Sequence, residues 1–430
     1  MKRATIFITA LLCLATWGKD MKNMVNVKDF GAIGDGLFLD TRYIQNALDS
    51  GKIVYFPTGV YRTGTLYLRS GGGIHLSANA VILGSKYPED YNTDKFDHRN
   101  SFSITERASG AHLIIARDCD DITISGSGTI CGNRNGIFNT DLIHTPNSNR
   151  PRYVLPRWRP GAMIYFLESK NIKISGINIT DPTYWTMMLH GCENVVIDRI
   201  AIQTDRFTNN SDGVDIDCCR NVKVTNSTIF SGDDALTIRG ASKRLKKNVE
   251  CANVTVDNCI LSSAACGVRI GVGNSNILDC KLTNLKIVNS GIGIGICPSY
   301  GAGNCTGIEN VSFENISINA VMALRMSPNW GSDIDDPAIK KVKNLSFCNI
   351  DATSSQGNLI VFPFKKGVFE NISFKDSTFT LLPGGTKPKA KHWKSEEFGV
   401  FNLLDVTGNI FTNCKGISAD GKPFIVNKSR

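Results

Sequence analysis

The chain has 430 residues, 42% of them hydrophobic, and a formal charge of +9 from 48 basic and 39 acidic side chains. This apolar content is enough to bury a large core, and no segment beyond the N-terminal one could cross a membrane as a helix, which excludes an integral helical membrane protein. The positive balance suits a polyanionic partner, an acidic polysaccharide or a nucleic acid, although ordinary surface lysines give the same sum.

Residues 1–19 read as a secretory signal peptide: Lys2 and Arg3 precede an apolar stretch from Ala4 to Trp17 that is too short to span a bilayer. Cys13 lies inside that stretch behind Leu12, a poor position for lipid attachment. Residues 20–430 are expected to form one domain. VNVKDFGAIGDG supplies a strand and a Gly-rich turn, and residues 41–49 form a short helix with Ile44 and Leu48 on one face. Such a helix would cap the open end of a strand-built core. Strands follow in KIVYFPTGVYRTGTLYLRS and GIHLSANAVILGS. Residues 87–160 are irregular and polar apart from strands near Leu113 and Ile122, and are expected to form loops walling one side. Arg150, Arg152, Arg157 and Arg159 make a basic loop there.

From Asn171 onward a unit repeats: Asn, then alternating apolar residues, as in NIKISGINIT, NVVIDRIAIQ, NVKVTNSTIF and NVTVDNCILS. Copies begin at Asn171, Asn194, Asn221, Asn253, Asn284, Asn310, Asn344 and Asn371, at intervals of 23, 27, 32, 31, 26, 34 and 27 residues. Period-two alternation makes each a strand pair, and none could bury its apolar face alone. Propeller blades need about 40–50 residues, so these units are too short for one. The predicted fold is all-β: a single-stranded right-handed parallel β-helix with a short N-terminal capping helix, its asparagines stacked in an interior ladder. On that reading the Asn-x-Ser/Thr triplets, such as Asn315-Ile316-Ser317, are strand register rather than glycosylation sites. Thirteen cysteines remain after Cys13, without metal-type spacing, and most are expected to be buried free thiols. The stretch LPGGTKPKAKHWKSEE is a surface loop before the last coil.

The run NNSDGVDIDCCRNVKVTNSTIFSGDDALTIRG carries five aspartates in a region that otherwise reads as strand. Asp212 precedes Asp233 and Asp234 by 21 and 22 residues, close to one coil. Residues one coil apart stack at roughly 4.7–4.9 Å, so the three carboxylates should crowd together and at least one should retain its proton. A protonated acid beside ionised partners suits glycoside hydrolysis. A calcium site, or aspartates bonded to their own turns, would use the same residues. Asp215 and Asp217 alternate on one face of their strand and read as support for the turn or neighbouring backbone.

VKDFGAIGDG, YFPTGVYRTGTLYL, NSDGVDID and SGDDALTIRG together resemble glycoside hydrolase family 28. That family comprises polygalacturonases and related pectin-degrading enzymes on a right-handed parallel β-helix. By the resemblance, Asn210-Ser211-Asp212 matches the family's Asn-Thr-Asp motif and Asp233-Asp234 its Asp-Asp motif. Asp233 would be the general acid, with Asp212 and Asp234 holding and deprotonating the attacking water in a single displacement with inversion. The family's Gly-His-Gly motif is replaced by Cys266-Gly267, and its Arg-Ile-Lys motif by the uncharged GIGIGICPSYG from Gly291. Arg269 and Arg239 are candidates to contact a substrate acid group, since arginine pairs carboxylates in a bidentate way. His190 is a candidate to line the cleft and Tyr300 to stack on a sugar, while Trp185 either packs in the core, the favoured reading, or stacks on a sugar. Residues 92–158 would close one end of the groove. The implied protein is an exported, secreted or periplasmic, monomeric hydrolase of acidic or pectic polysaccharide. No metal, cofactor, nucleic acid or membrane insertion is expected. Two rivals share the fold: a calcium-dependent polysaccharide lyase with an arginine base, and a non-catalytic glycan-binding β-helix.

Overall fold

The computed structural model describes residues 24–100, 103–144, 150–300, 303–330, 336 and 338–429. The expected signal peptide lies outside the described residues.

The chain winds into a right-handed parallel β-helix. Each coil contributes strands to three parallel sheets, and successive coils pair in register. In one sheet Lys170–Ser175, Glu193–Asp198, Arg220–Thr225 and Cys251–Asp257 follow one another. Their inward positions stack like on like: Ile172, Val195, Val222 and Val254 form one column, and Ile174, Ile197, Val224 and Val256 the next. All eight are buried. Fully burying such a side chain stabilises by about 1.5–3 kcal/mol, and the repeat supplies it at every rung. Further along, Phe347 stacks between Phe313 and Phe374 with ring centroids 4.6 and 4.4 Å away.

The N-terminal end is closed as expected. Thr41–Leu48 is helical, and its Ile44, Ala47 and Leu48 join the core.

The asparagine ladder exists, but on the outside. Asn194 donates to Asn171 (3.1 Å), Asn221 to Asn194 (3.0 Å) and Asn253 to Asn221 (2.7 Å), and all of these side chains are exposed. Each sits at a corner with φ between 55° and 57°, the left-handed region that asparagine tolerates better than most residues. The expected interior position is not met because the inward positions of each rung are the alternating apolar residues that follow, Ile172 and Ile174 and their equivalents, and the corner asparagine before them faces out. Asn284 also stands elsewhere than expected. It belongs to a second exposed ladder at the next corner, accepting from Asn315 and donating to Asp257, while Asp279 fills the first ladder beneath Asn310.

All thirteen cysteines among the described residues are free, ten of them buried. Cys131, Cys348 and Cys414 are only half-buried. Residues 87–160 contain more order than their composition suggests, including an antiparallel hairpin of Leu142–His144 and Pro151–Tyr153. The expected C-terminal surface loop tucks Trp393 against Leu359, Val361 and Leu404, so it is anchored at its middle.

Candidate active site

Three adjacent rungs build the site. Val214 pairs with Leu236 and Leu236 with Val268. Two residues upstream of each stand Asp212, Asp234 and Cys266, linked through the Gly213 N–H to the Asp234 carbonyl (2.9 Å) and the Ala235 N–H to the Cys266 carbonyl (2.8 Å). One column outward, Asp215 pairs with Thr237, Thr237 with Arg269, Arg269 with Gly295 and Gly295 with Arg325. Asp217 pairs with Arg239 in the next column of this strand.

The turns that present the aspartates are tightly held. At Gly232 a Cβ would lie 2.5 Å from Ser211 Oγ and 2.6 Å from the Asp205 carbonyl, so no side chain fits there. The Gly232 N–H donates to Thr204 Oγ1 (2.9 Å), and the Ser231 and Ser263 hydroxyls both donate to the Asp233 carbonyl. Asn210, with φ of 54°, is fixed by Arg159, whose guanidinium donates to its Oδ1 (3.0 Å) and to the carbonyls of Thr183 (2.8 Å), Asn209 (2.7 Å) and Glu106 (2.7 Å). Arg159 is therefore fully buried, not part of a surface loop. Its four acceptors are neutral oxygens, and burial lowers the guanidinium to about 10.

Asp212, Asp233 and Asp234 open into one cavity of about 970 Å³. Its wall carries seven cations (Arg150, Arg152, Arg206, Arg239, Arg269, Arg325 and Lys389) against four carboxylates, the fourth being Glu106. Asp212 is 6% exposed, and burial plus the charges of Asp215, Asp233 and Asp234 hold its carboxyl well above the usual range. Asp233 is raised by burial and by Asp234, against the pull of Arg150, Arg152 and Arg269. Both oxygens of Asp234 are engaged as acceptors, Oδ1 by the Cys266 N–H (3.0 Å) and Oδ2 by Arg269 (2.9 Å). The crowding expected from the coil spacing is present.

Asp215 and Asp217 lie behind this cluster. Asp215 accepts from the Thr237 hydroxyl (2.6 Å), stands 3.6 Å from Arg239, and is pushed up to about 6 by burial. Asp217 accepts from the Ala241 N–H (2.6 Å) and faces Arg239 at 3.4 Å. Burial works against the Arg239 charge, but Asp217, Asp215 and Asp212 outweigh it.

Of the other expected residues, Cys266, Arg239, Arg269 and Tyr300 line the cavity, and Tyr300 is 50% exposed. His190 does not. It is buried, its ring between the Tyr165 hydroxyl (3.1 Å) and the Ala241 carbonyl (3.0 Å). The segment carrying Ala241 and Leu245 folds over the outer face of its strand, and burial lowers its pKa. Trp185, assigned to the core from sequence, lies at the cavity wall, stacked on Tyr184 (5.0 Å) with Arg239 over its ring (4.7 Å). Of the basic loop, Arg150 and Arg152 reach the cavity and Arg157 is exposed. Sequence reasoning missed Arg325 and Trp330, which share the wall with Arg269. The period-two placement of Arg325 in ALRM, two rungs after Arg269, was the one available signal.

Fold and site together define a parallel β-helix of the glycoside hydrolase kind, with its carboxylates on neighbouring coils. The model of Glycosyl hydrolases family 28 matches residues 85–397, and the chain belongs to that family. It is 26% identical over 384 residues to the exo-poly-alpha-D-galacturonosidase of Dickeya chrysanthemi, covering 78% of this chain and 63% of that protein. It is 24% identical over 369 residues to polygalacturonase-2 of Solanum lycopersicum, covering 81% of this chain and 74% of that one. The chain thus spans less than two thirds of the first relative's length. Among solved structures, the hyperthermoactive exopolygalacturonase of Thermotoga maritima superposes with a TM-score of 0.69 at 20% identity, covering 85% of this chain and 88% of the other. At that identity the match speaks to the fold.

Proposed function

We propose that this chain is an exported, inverting glycoside hydrolase that cleaves pectic or related acidic glycans. The observation that carries the reading is the cluster of Asp212, Asp233 and Asp234 in one cavity whose wall is rich in cations. Relatives named for polygalacturonan cleavage support the pectic assignment. The signal-like N-terminus supports export.

In this reading Asp233, whose carboxyl is raised, gives its proton to the leaving glycosidic oxygen. Asp212 and Asp234 orient a water and accept its proton as it attacks the anomeric carbon from the opposite face, in one displacement that inverts configuration. The wall cations draw in the polyanion and take its acid groups. The substrate clamp is of unusual construction: the rung through Gly291, Gly293 and Gly295 bears no charge, while Arg269 and Arg325 stand on the rungs to either side.

The test is a panel of purified pectic oligosaccharides treated with wild type and Asp233→Asn, read by product size and by anomeric form in proton NMR. Hydrolysis to new reducing ends with inverted configuration is expected, with loss of about 10²–10⁴-fold in the variant. An unsaturated, ultraviolet-absorbing product abolished by chelator would make the chain a lyase instead. Equal behaviour of the two proteins would remove Asp233 from the chemistry.

A further inference from the structure

Arg269 makes contacts in this site that go beyond holding a substrate. Its guanidinium donates to Asp234 Oδ2 at 2.9 Å, and among the described residues Asp234 is the carboxylate it pairs with. The guanidinium also lies against two aromatic rings, 4.9 Å from the Tyr300 centroid and 5.1 Å from that of Trp330. Room for Trp330 comes from Gly295, the next residue in Arg269's column. A Cβ there would lie 2.9 Å from the indole Cη2 and 3.2 Å from Cys266 Sγ. Trp330 is fixed in turn by Arg325, which lies 4.1 Å over its ring and donates to its carbonyl at 3.1 Å. The absence of a side chain at Gly295 is thus what lets the indole close against Arg269.

We infer that Arg269 is a positioning residue for the carboxylate cluster: packed against Tyr300 and Trp330, it holds Asp234 as a fixed acceptor and so leaves the proton of the cluster to Asp233. This rests on the hydrolase reading above and names the regulation of that same site. A planar cation fixed on one of three crowded carboxylates breaks their equivalence, because the group beside it is the cheapest to leave ionised. The other charges facing the cluster do not make that choice. Asp215 and Arg239 act on Asp212, and Arg150, Arg152 and, more weakly, Arg269 itself act on Asp233 without a hydrogen bond to it. Behind Arg269 stand Arg325 and two thiols, Cys266 and Cys297; burial raises both thiols, so they stay uncharged at neutral pH.

The sign of the effect follows. Removing the cation takes away the charge that favours an ionised acceptor, so the acidic limb of the kcat/KM profile moves to higher pH. The experiment compares wild type, Arg269→Gln, Arg269→Lys and Trp330→Ala on an acidic pectic oligosaccharide. In parallel, ¹³C-carboxyl NMR titrations of aspartate-labelled wild type and Arg269→Gln follow the cluster without any substrate, with Asp234→Asn giving the assignment. Arg269→Gln is expected to move the acidic limb to higher pH by about one to three units, and to displace the Asp234 carboxyl resonance, which loses its guanidinium partner. It should also lower kcat by about a hundredfold, with a smaller change in KM. Arg269→Lys should recover part of the limb, and Trp330→Ala should shift it the same way by less. A raised KM with kcat and the limb unchanged would overturn the inference and return Arg269 to substrate binding. An unmoved Asp234 resonance would overturn it as well. If no glycan is cleaved by wild type, the hydrolase reading fails, and the NMR titration still decides whether Arg269 holds Asp234.

Discussion

Replacing Asp215 by Asn should remove a pH-dependent cost of folding. Asp215 is fully buried, and its carboxyl is pushed up from 3.8 to about 6 by desolvation, against the opposing pull of Arg239 and the Thr237 hydroxyl. A folded-state pKa raised above the unfolded value means that the native state holds its proton more firmly. The resulting stability is fully present below about pH 4 and is lost as pH rises through about 6. A difference of about two units corresponds to ~3 kcal/mol. In Asp215→Asn the amide oxygen can still accept from Thr237, now 2.6 Å away, and Arg239 keeps Asp217 at 3.4 Å. The variant is therefore expected to lose ~3 kcal/mol less than wild type between about pH 4 and pH 7. Denaturant unfolding at both pH values, followed by the fluorescence of Trp185 beside Arg239, measures this difference. Asp212 and Asp233 titrate in both proteins, and removing the Asp215 charge lowers Asp212, which adds to the effect in the same direction. The same pH dependence in both proteins would refute the reasoning, because it would mean that Asp215 is ionised in the folded state without penalty.

Other perturbations test the scaffold and the cavity wall. Phe347→Ala removes the middle ring of the Phe313–Phe347–Phe374 stack and should cost about 3–5 kcal/mol in denaturant unfolding. Asn221→Ala breaks the bonds to Asn194 (3.0 Å) and Asn253 (2.7 Å) and places a Cβ without amide compensation at φ 56°; a loss of about 1–2 kcal/mol is expected, and Asn221→Gly should lose less because its backbone is unstrained there. Raising ionic strength should increase KM for an acidic oligosaccharide more than for a reduced, neutral one, since seven wall cations act at long range, and steady-state kinetics at two salt concentrations would measure it.

The parts of the molecule written at short range were legible. The helix Thr41–Leu48 follows from its apolar face, and the coil from period-two alternation after each Asn. The carboxylate cluster follows from a spacing of one coil, since the register of Val214 on Leu236 is 22 residues. Asn284 misled because both corners of a coil need a left-handed residue before an alternating strand, so the two ladders carry the same local pattern. His190 misled because its strand's outer face is covered by a segment some 50 residues away in the chain, through Ala241. Arg159 looked like part of a solvated run, yet its partners come from Glu106, Thr183 and Asn209, none of them near it in sequence. Trp330 was invisible for the same reason: its place depends on an absent side chain at Gly295. Interior order repeats with the coil, whereas the covering loops have unequal lengths and follow no period.

A solenoid also constrains how such a site can be altered. Each wall position has one neighbour a rung below and one above, about 4.8 Å away, so a charge is always read against its column. Asp215, Thr237, Arg269, Gly295 and Arg325 form one such column, and the charge along it runs negative, neutral, positive, neutral, positive. Two cations on consecutive rungs would repel, and the Gly295 rung separates Arg269 from Arg325 while admitting the Trp330 ring between them. A lysine or arginine at position 295 would therefore do more than add a charge. It would expel the indole, release Arg269 from its aromatic hold and slacken Asp234. The uncharged glycine rung and the aromatic clamp are one arrangement, and neither can be exchanged without the other.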